Sequence, residues 1–290
     1  MEEPVTTDEP AEPPLSATEP AREGIPSPMN GLPGGTIFGT LVHAVLEVVD
    51  TSAPDLEAEL LDCCRETVRR QMSPIDPAQL AAALLPVMRT PLGPLGRTLA
   101  DFAPSDRLSE LDFELPLTGG DSPVPVTVTL DAVGGLLRRH LPADDPMAAY
   151  ADLVRTLEPV PLRGYLNGSI DAVLRTEGPR FVVVDYKTNR LAPVDELTTA
   201  HYTRESMAAE MLRAHYPMQA LLYSVALHRY LRWRMRDYDP HAHLGGVQYL
   251  FVRGMAGPDN PPGSGVFDWH PPAALVTDLS DLLAGKAVIS

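Results

Sequence analysis

The feature that most constrains this chain of 290 residues is a pair of β-rich runs, Leu166–Thr176 and Arg180–Thr188, joined by Glu177-Gly178-Pro179. Glycine and proline at the join favour a tight reversal, so the runs predict an antiparallel hairpin. The second run holds Phe181-Val182-Val183-Val184 without a polar break, the pattern of a strand covered on both faces. A charged residue, Asp185, follows that apolar run directly.

Helical periodicity predicts the cover for that hairpin. From Thr36 to Asp50 the apolar positions Ile37, Leu41, Val45 and Val48 or Val49 recur at helical spacing. Residues 55–71 and 77–89 predict two more helices, bounded by Pro54, Pro74 and Pro91. Leu111, Phe113, Leu115 and Leu117 alternate with Asp112, Glu114 and Pro116, a half-buried strand with Glu110 at its entrance. Residues 126–141 and 146–157 read as mostly helical, and residues 205–236 as helical with a break near Pro217. A last strand, Gly246–Arg253, follows a loop at 241–245. The expected fold is α/β, a central mixed β-sheet flanked by α-helices, occupying residues 36–290.

Residues 1–35 are rich in Pro, Glu, Ser, Thr and Gly; seven acids against one arginine give them −6 of the total charge of −16. They are expected to form a disordered acidic tail or linker. No apolar run reaches membrane-spanning length, and the N-terminus lacks the pattern of a secretory signal. The adjacent Cys63 and Cys64 cannot readily bridge one another, which predicts a reduced, cytoplasmic protein.

Alternation along the second strand puts Asp185 and Lys187 on one side and Tyr186 on the other. A hairpin partner can place Asp171 beside Asp185, so two carboxylates and an ammonium converge at a strand end. Paired carboxylates repel unless a cation lies between them, and hard oxygen donors favour Mg²⁺ or Mn²⁺. Such a site suits hydrolysis of a phosphodiester, with Lys187 orienting water or countering charge that develops at phosphorus. The same three residues could instead form a surface salt bridge contributing ~0–1 kcal/mol. Two facts favour chemistry: Asp185 ends an apolar run, and only two of the 23 basic residues are lysines, Lys187 and Lys286. His43, with Glu47 one turn later, lies on the first helix and can face the same side.

These residues, in this order, resemble the PD-(D/E)XK nuclease superfamily, and more closely its RecB-type nuclease domains. The likeness is carried by Gly39–His43 with Glu47, Glu110–Phe113, Leu166–Asp171, Val184–Asn189, Tyr216–Gln219 with Tyr223, Ala226–Leu231, and Gly245–Gly254. It implies a restriction-endonuclease-like core. His43, Asp171 and Asp185 would be metal ligands with the Tyr186 carbonyl, Lys187 the catalytic lysine, Glu110 an auxiliary acid, and Tyr216 and Gln219 supports of the site and the DNA strand. It also implies a Mg²⁺-dependent exodeoxyribonuclease, or one using Mn²⁺, that degrades linear DNA in double-strand-break repair, with RecC and RecD as partners. A related branch ligates an iron–sulfur cluster through four cysteines, so no such cluster is expected here. Pro217 departs from the pattern and predicts that a helix starts there. No phosphate-binding Gly-x-x-x-x-Gly-Lys-Ser/Thr loop occurs, so no helicase part is expected in this chain. An inactive module that docks on RecC-like partners is the competing expectation. The net charge argues against strong DNA affinity, although residues 201–254 carry seven arginines against four acids.

Overall fold

In the computed structural model the described residues are 23–118, 128–157 and 164–286. Fourteen regular elements occur among them. They are α1 (Thr36–Val48), α2 (Leu56–Arg70), α3 (Pro77–Arg89), β1 (Arg107–Pro116), α4 (Leu130–His140), α5 (Tyr150–Leu153), β2 (Tyr165–Thr176) and β3 (Arg180–Lys187). There follow α6 (Arg204–Arg213), α7 (Tyr216–Arg234), α8 (Pro240–His243), β4 (Leu244–Phe251), β5 (Val266–Trp269) and α9 (Ala273–Leu283). The strands form one mixed sheet in the order β1-β2-β3-β4-β5, flanked by helices, so the expected α/β class is met. Among the described residues no helix is long and apolar enough to cross a membrane.

By internal contacts the chain divides into two compact units. One comprises residues 1–105, 186–207 and 249–267; the other comprises 106–185, 208–248 and 268–290. In the first, α1 packs on α2 and α2 on α3. Asp55 caps α2 by accepting from the Glu57 and Ala58 amides, and Asp76 caps α3 in the same way from Ala78. The buried stripe of α1 is Phe38, Leu41, Val42, Val45 and Leu46. The expected stripe is met at Leu41, Val45 and Val49 and fails at Ile37. Ile37 is 80% exposed and Val48 47% exposed, because the neighbouring helix, not apolar spacing alone, chooses which side turns inward.

The expected tail also ends earlier than residue 35. Residues 1–22 lie outside the described residues, but Pro26 bridges Thr198, and the Ser27 amide donates to the Leu197 carbonyl at 2.8 Å. Met29 is fully buried. The fully buried Arg253 donates to the carbonyls of Thr188 and Met29, at 2.8 and 3.0 Å, and to that of Pro33. One guanidinium fork thus ties residues 29–33 to the end of β3, and Phe38 lies against its face.

In the second unit β1, β2 and β3 are consecutive antiparallel neighbours. The predicted hairpin is present, with Gly178 at φ 117° in its turn, a conformation that suits glycine. β1 begins four residues earlier than expected, so Glu110 lies inside the strand, at φ 50°, and not at its entrance. The helix predicted at 126–141 is realised as α4, its first two positions lying outside the described residues. That predicted at 146–157 contracts to α5 and a short 3-10 turn. The break near Pro217 is made by His215 at φ 55°, and Pro217 lies in the first turn of α7, where its missing N–H costs nothing. The predicted 241–245 loop contains the short helix α8, and β5 and α9 were not anticipated.

Candidate active site

The hairpin register decides where the acids stand. Ala172 pairs with Val184 across β2 and β3, so one further step puts Asp171 opposite Asp185. Across β1 and β2, Ser109 pairs with Ala172 and Leu111 with Ile170, which puts Glu110 opposite Asp171. Continuing the register, Glu110, Asp171 and Asp185 fall at facing positions of three adjacent strands. Their surroundings differ: Asp185 is 2% exposed, Asp171 is half-buried and Glu110 is exposed. The positive φ of Glu110 takes its backbone out of the extended conformation that the other two keep.

α7 presents the next group. Gln219 and Tyr223 are one turn apart, and the Gln219 amide donates to the Tyr223 hydroxyl at 3.0 Å. Burial pushes the Tyr223 phenol well above its ordinary value, and the charges of Asp185 and Asp171 push it further; the Gln219 hydrogen bond opposes this. The phenol therefore stays protonated in the field of both acids. Phe113 of β1 meets the Tyr223 ring edge-on at 6.0 Å. Phe113 in turn lies over Gly168, where a Cβ would come within 2.6 Å of the ring. Tyr216 is buried at the start of α7, one turn before Gln219.

In the first unit, α1 brings the His43 ring edge-on to Tyr186 at 5.9 Å. Lys187 is 5% exposed, with its ammonium 5.5 Å from the centre of the Tyr249 ring, a cation–π contact that steadies a buried charge. Thr188 and Asn189 continue the buried strand end; the Asn189 carbonyl accepts from the Tyr202 hydroxyl at 2.8 Å.

The expected residues thus appear as two sets, each gathered within its own unit. Glu110, Asp171, Asp185 and Gln219 form one, with Tyr216 on the same helix; His43, Tyr186 and Lys187 form the other. Tyr223, Tyr249, Phe113 and Gly168 lay within the segments that carry the family likeness, but none was given a role in the site. Helical spacing could have added Tyr223, which is i+4 from Gln219 and i+7 from Tyr216. Nothing local points to Tyr249, whose place beside Lys187 depends on strand pairing.

Among the described residues no group of three or more His, Cys, Asp and Glu side chains is gathered closely enough to hold a metal by itself. The donor chemistry still fits a hard cation. Mg²⁺ keeps several waters and needs only one or two carboxylates from the protein, which Asp171 and Asp185 offer.

A family model described as the PD-(D/E)XK nuclease superfamily matches residues 22–265. The RecBCD enzyme subunit RecB of Mycolicibacterium smegmatis is 54% identical over 272 residues, which are 91% of this chain and 25% of that protein. The same-named subunit of Mycobacterium tuberculosis is 54% identical over 273 residues, 89% of this chain and 24% of that protein. The Escherichia coli subunit is 33% identical over 259 residues, 88% of this chain and 20% of that protein. The chain therefore spans about a quarter of the length of its mycobacterial relatives and a fifth of the other.

Proposed function

The chain belongs to the PD-(D/E)XK nuclease superfamily, and from that premise we propose that it is a metal-dependent DNA nuclease domain of RecB type. It hydrolyses phosphodiester bonds of linear DNA as the nuclease part of a helicase–nuclease, in double-strand-break repair, with RecC-like and RecD-like subunits as partners. The names of the relatives support that setting. The observation that carries the chemistry is the placement of half-buried Asp171 across the hairpin from buried Asp185, with the Tyr223 phenol in their joint field.

In this reading Asp171 and Asp185 would hold Mg²⁺ or Mn²⁺, with waters completing its shell, and the family likeness adds His43 and the Tyr186 carbonyl to the ligand set. Bound there, the ion lowers the pKa of water and offsets phosphate charge. Lys187, on the Asp185 side of β3, orients the attacking water and counters charge that develops on the phosphoryl oxygens. Its buried ammonium is a compact point charge, suited to that task where a planar guanidinium is not. Glu110, the exposed end of the acidic row, acts as an auxiliary acid near solvent. Tyr216 and Gln219 support the site and the DNA strand from α7, Gln219 by fixing the Tyr223 hydroxyl.

The purified chain is expected to degrade linear single-stranded DNA with Mg²⁺, and Asp185→Ala to abolish this without loss of the folded state. Equal activity in the variant would refute the site. Independently of activity, Mn²⁺ at a hundredfold excess over its dissociation constant should stabilise the fold by about 2.7 kcal/mol, and Asp171→Ala should remove that shift. A Mn²⁺ shift that survives Asp171→Ala would remove Asp171 from the ligand set.

A further inference from the structure

The C-terminal end of α7 carries a surface that the site does not use. From His228 to Arg236 the chain reads His-Arg-Tyr-Leu-Arg-Trp-Arg-Met-Arg, four arginines in nine residues with no acid. Trp233 is 77% exposed. Arg232, Arg234 and Arg236 are all exposed beside it, and the Arg234 guanidinium lies 5.3 Å from the centre of the indole. Arg229 is set apart: it donates to the Ser280 hydroxyl and carbonyl and to the Pro116 carbonyl, and so serves the packing of α7 on α9.

Two things make this surface unusual for the chain. Six arginines elsewhere pair with acids, Arg65 with Asp62, Arg69 with Glu66, Arg138 with Asp152, Arg155 with Asp131, Arg175 with Asp106 and Arg213 with Glu210, while others such as Arg89 and Arg180 stand singly among the described residues. Among the described residues no such pair engages Arg232, Arg234 or Arg236, although the protein has 39 acidic residues. Second, a large indole is left in water where burial would have stabilised the fold, as for any large apolar side chain. Asp237 and Asp239 follow Arg236 in sequence, yet the open aromatic face lies among arginines that enter no ion pair among the described residues. Single-stranded nucleic acid requires such a face: a base stacks, and the flanking phosphates meet cations.

We propose that the end of α7 is a docking site for single-stranded DNA, in which Trp233 stacks on a base while Arg232, Arg234 and Arg236 hold the neighbouring phosphates. The choice of polymer rests on the nuclease reading; the surface itself does not. Ten residues of helix separate Trp233 from Tyr223, about 15 Å along the axis. That is on the order of four nucleotides at a stacked rise of about 3.4 Å. The site therefore holds a strand within a few nucleotides of the carboxylates. A duplex keeps its bases stacked on one another and cannot use the indole in this way. Local cations also let a chain of net charge −16 engage a polyanion.

The test uses the full chain carrying Asp185→Ala, so the strand survives, and measures anisotropy of a labelled twenty-residue oligothymidylate. Trp269 is 2% exposed, so quenching of intrinsic fluorescence by the oligonucleotide reports Trp233. Quenching is expected, and adding Trp233→Ala should weaken binding by roughly tenfold, within the range of one base–aromatic stack. Replacing Arg232, Arg234 and Arg236 together by glutamine should lower the slope of log affinity against log salt by about 2, at ~0.7 per phosphate contact. Unchanged affinity in the Trp233→Ala background, or binding without quenching, overturns the proposal and leaves a protein partner as the occupant. Absence of any oligonucleotide binding overturns it too. Failure of the nuclease reading would appear separately, as absence of cleavage by the chain with Asp185 intact.

Discussion

Replacing Gly168 by alanine tests whether the aromatic support under the acids is as tight as its geometry requires. An added Cβ would lie 2.6 Å from Phe113 Cζ and 3.1 and 3.3 Å from its two Cε atoms. Ordinary carbon–carbon contact is about 3.5–4.0 Å, so the ring must retreat by about 1 Å. It cannot do so freely, because its edge rests on Tyr223, which is 8% exposed and hydrogen-bonded to Gln219. Overpacking of this kind costs about 1–3 kcal/mol. The stiffer unfolded chain of alanine returns roughly 0.4–1 kcal/mol. The net loss of about 1–2 kcal/mol should lower the thermal midpoint by roughly 3–6 °C. Cleavage should fall as well, since a displaced Tyr223 moves the phenol next to Asp171 and Asp185. The decisive assay is a double-mutant cycle with Phe113→Leu, which removes the ring tip. Coupling of at least about 1 kcal/mol is expected for groups in direct contact. Penalties that add to within about 0.5 kcal/mol would refute the argument, as would a Gly168→Ala melt identical to that of the parent chain.

Three further outcomes follow from named groups. Arg253→Gln should destabilise the protein by roughly 2–5 kcal/mol, because buried carbonyls of Thr188, Met29 and Pro33 lose their donor; Arg253→Lys should not restore the melting temperature, as an ammonium cannot reproduce the fork. Burial, and then the charges of Arg232 and Arg229, hold the His228 imidazole down at about 4, against 6.5 ordinarily. The unfolded chain then takes up the proton first, so this group's contribution is intact above pH 6.5 and is lost as pH falls towards 4, by on the order of 2–3 kcal/mol. Urea midpoints at pH 7 and 4.5 should show a larger drop for the parent than for His228→Gln; equal drops would count against it. Burial pushes the Cys63 and Cys64 thiols up to about 12, so labelling by a thiol reagent at pH 8 should be slow in the native protein and fast in urea. Fast native labelling would contradict the packing of α2.

Much of the site was legible because its signals are local. The hairpin was visible from two β-rich runs and a Gly-Pro turn, and continuing its register one step past Ala172 and Val184 sets Asp171 opposite Asp185. The start of α7 was legible in Pro217. Other readings failed where a neighbour decided the outcome. The buried face of α1 kept Leu41, Val45 and Val49 but left out Ile37, because packing against neighbouring elements, not spacing alone, sets where the stripe begins. Residues 23–35 looked like linker by composition, yet Arg253, more than two hundred positions later, supplies the donors that fix them.

By itself, then, the sequence determined the strand pair and named the acids and the lysine proposed to act there, because alternation and turn preference act over a few residues. The three-dimensional fold alone decided what surrounds them. It set the edge of Phe113 against Tyr223 over Gly168, placed Tyr249 beside the Lys187 ammonium and buried Arg253. Those relations join residues tens to hundreds of positions apart, and burial and register are properties of the packed chain that no local pattern contains.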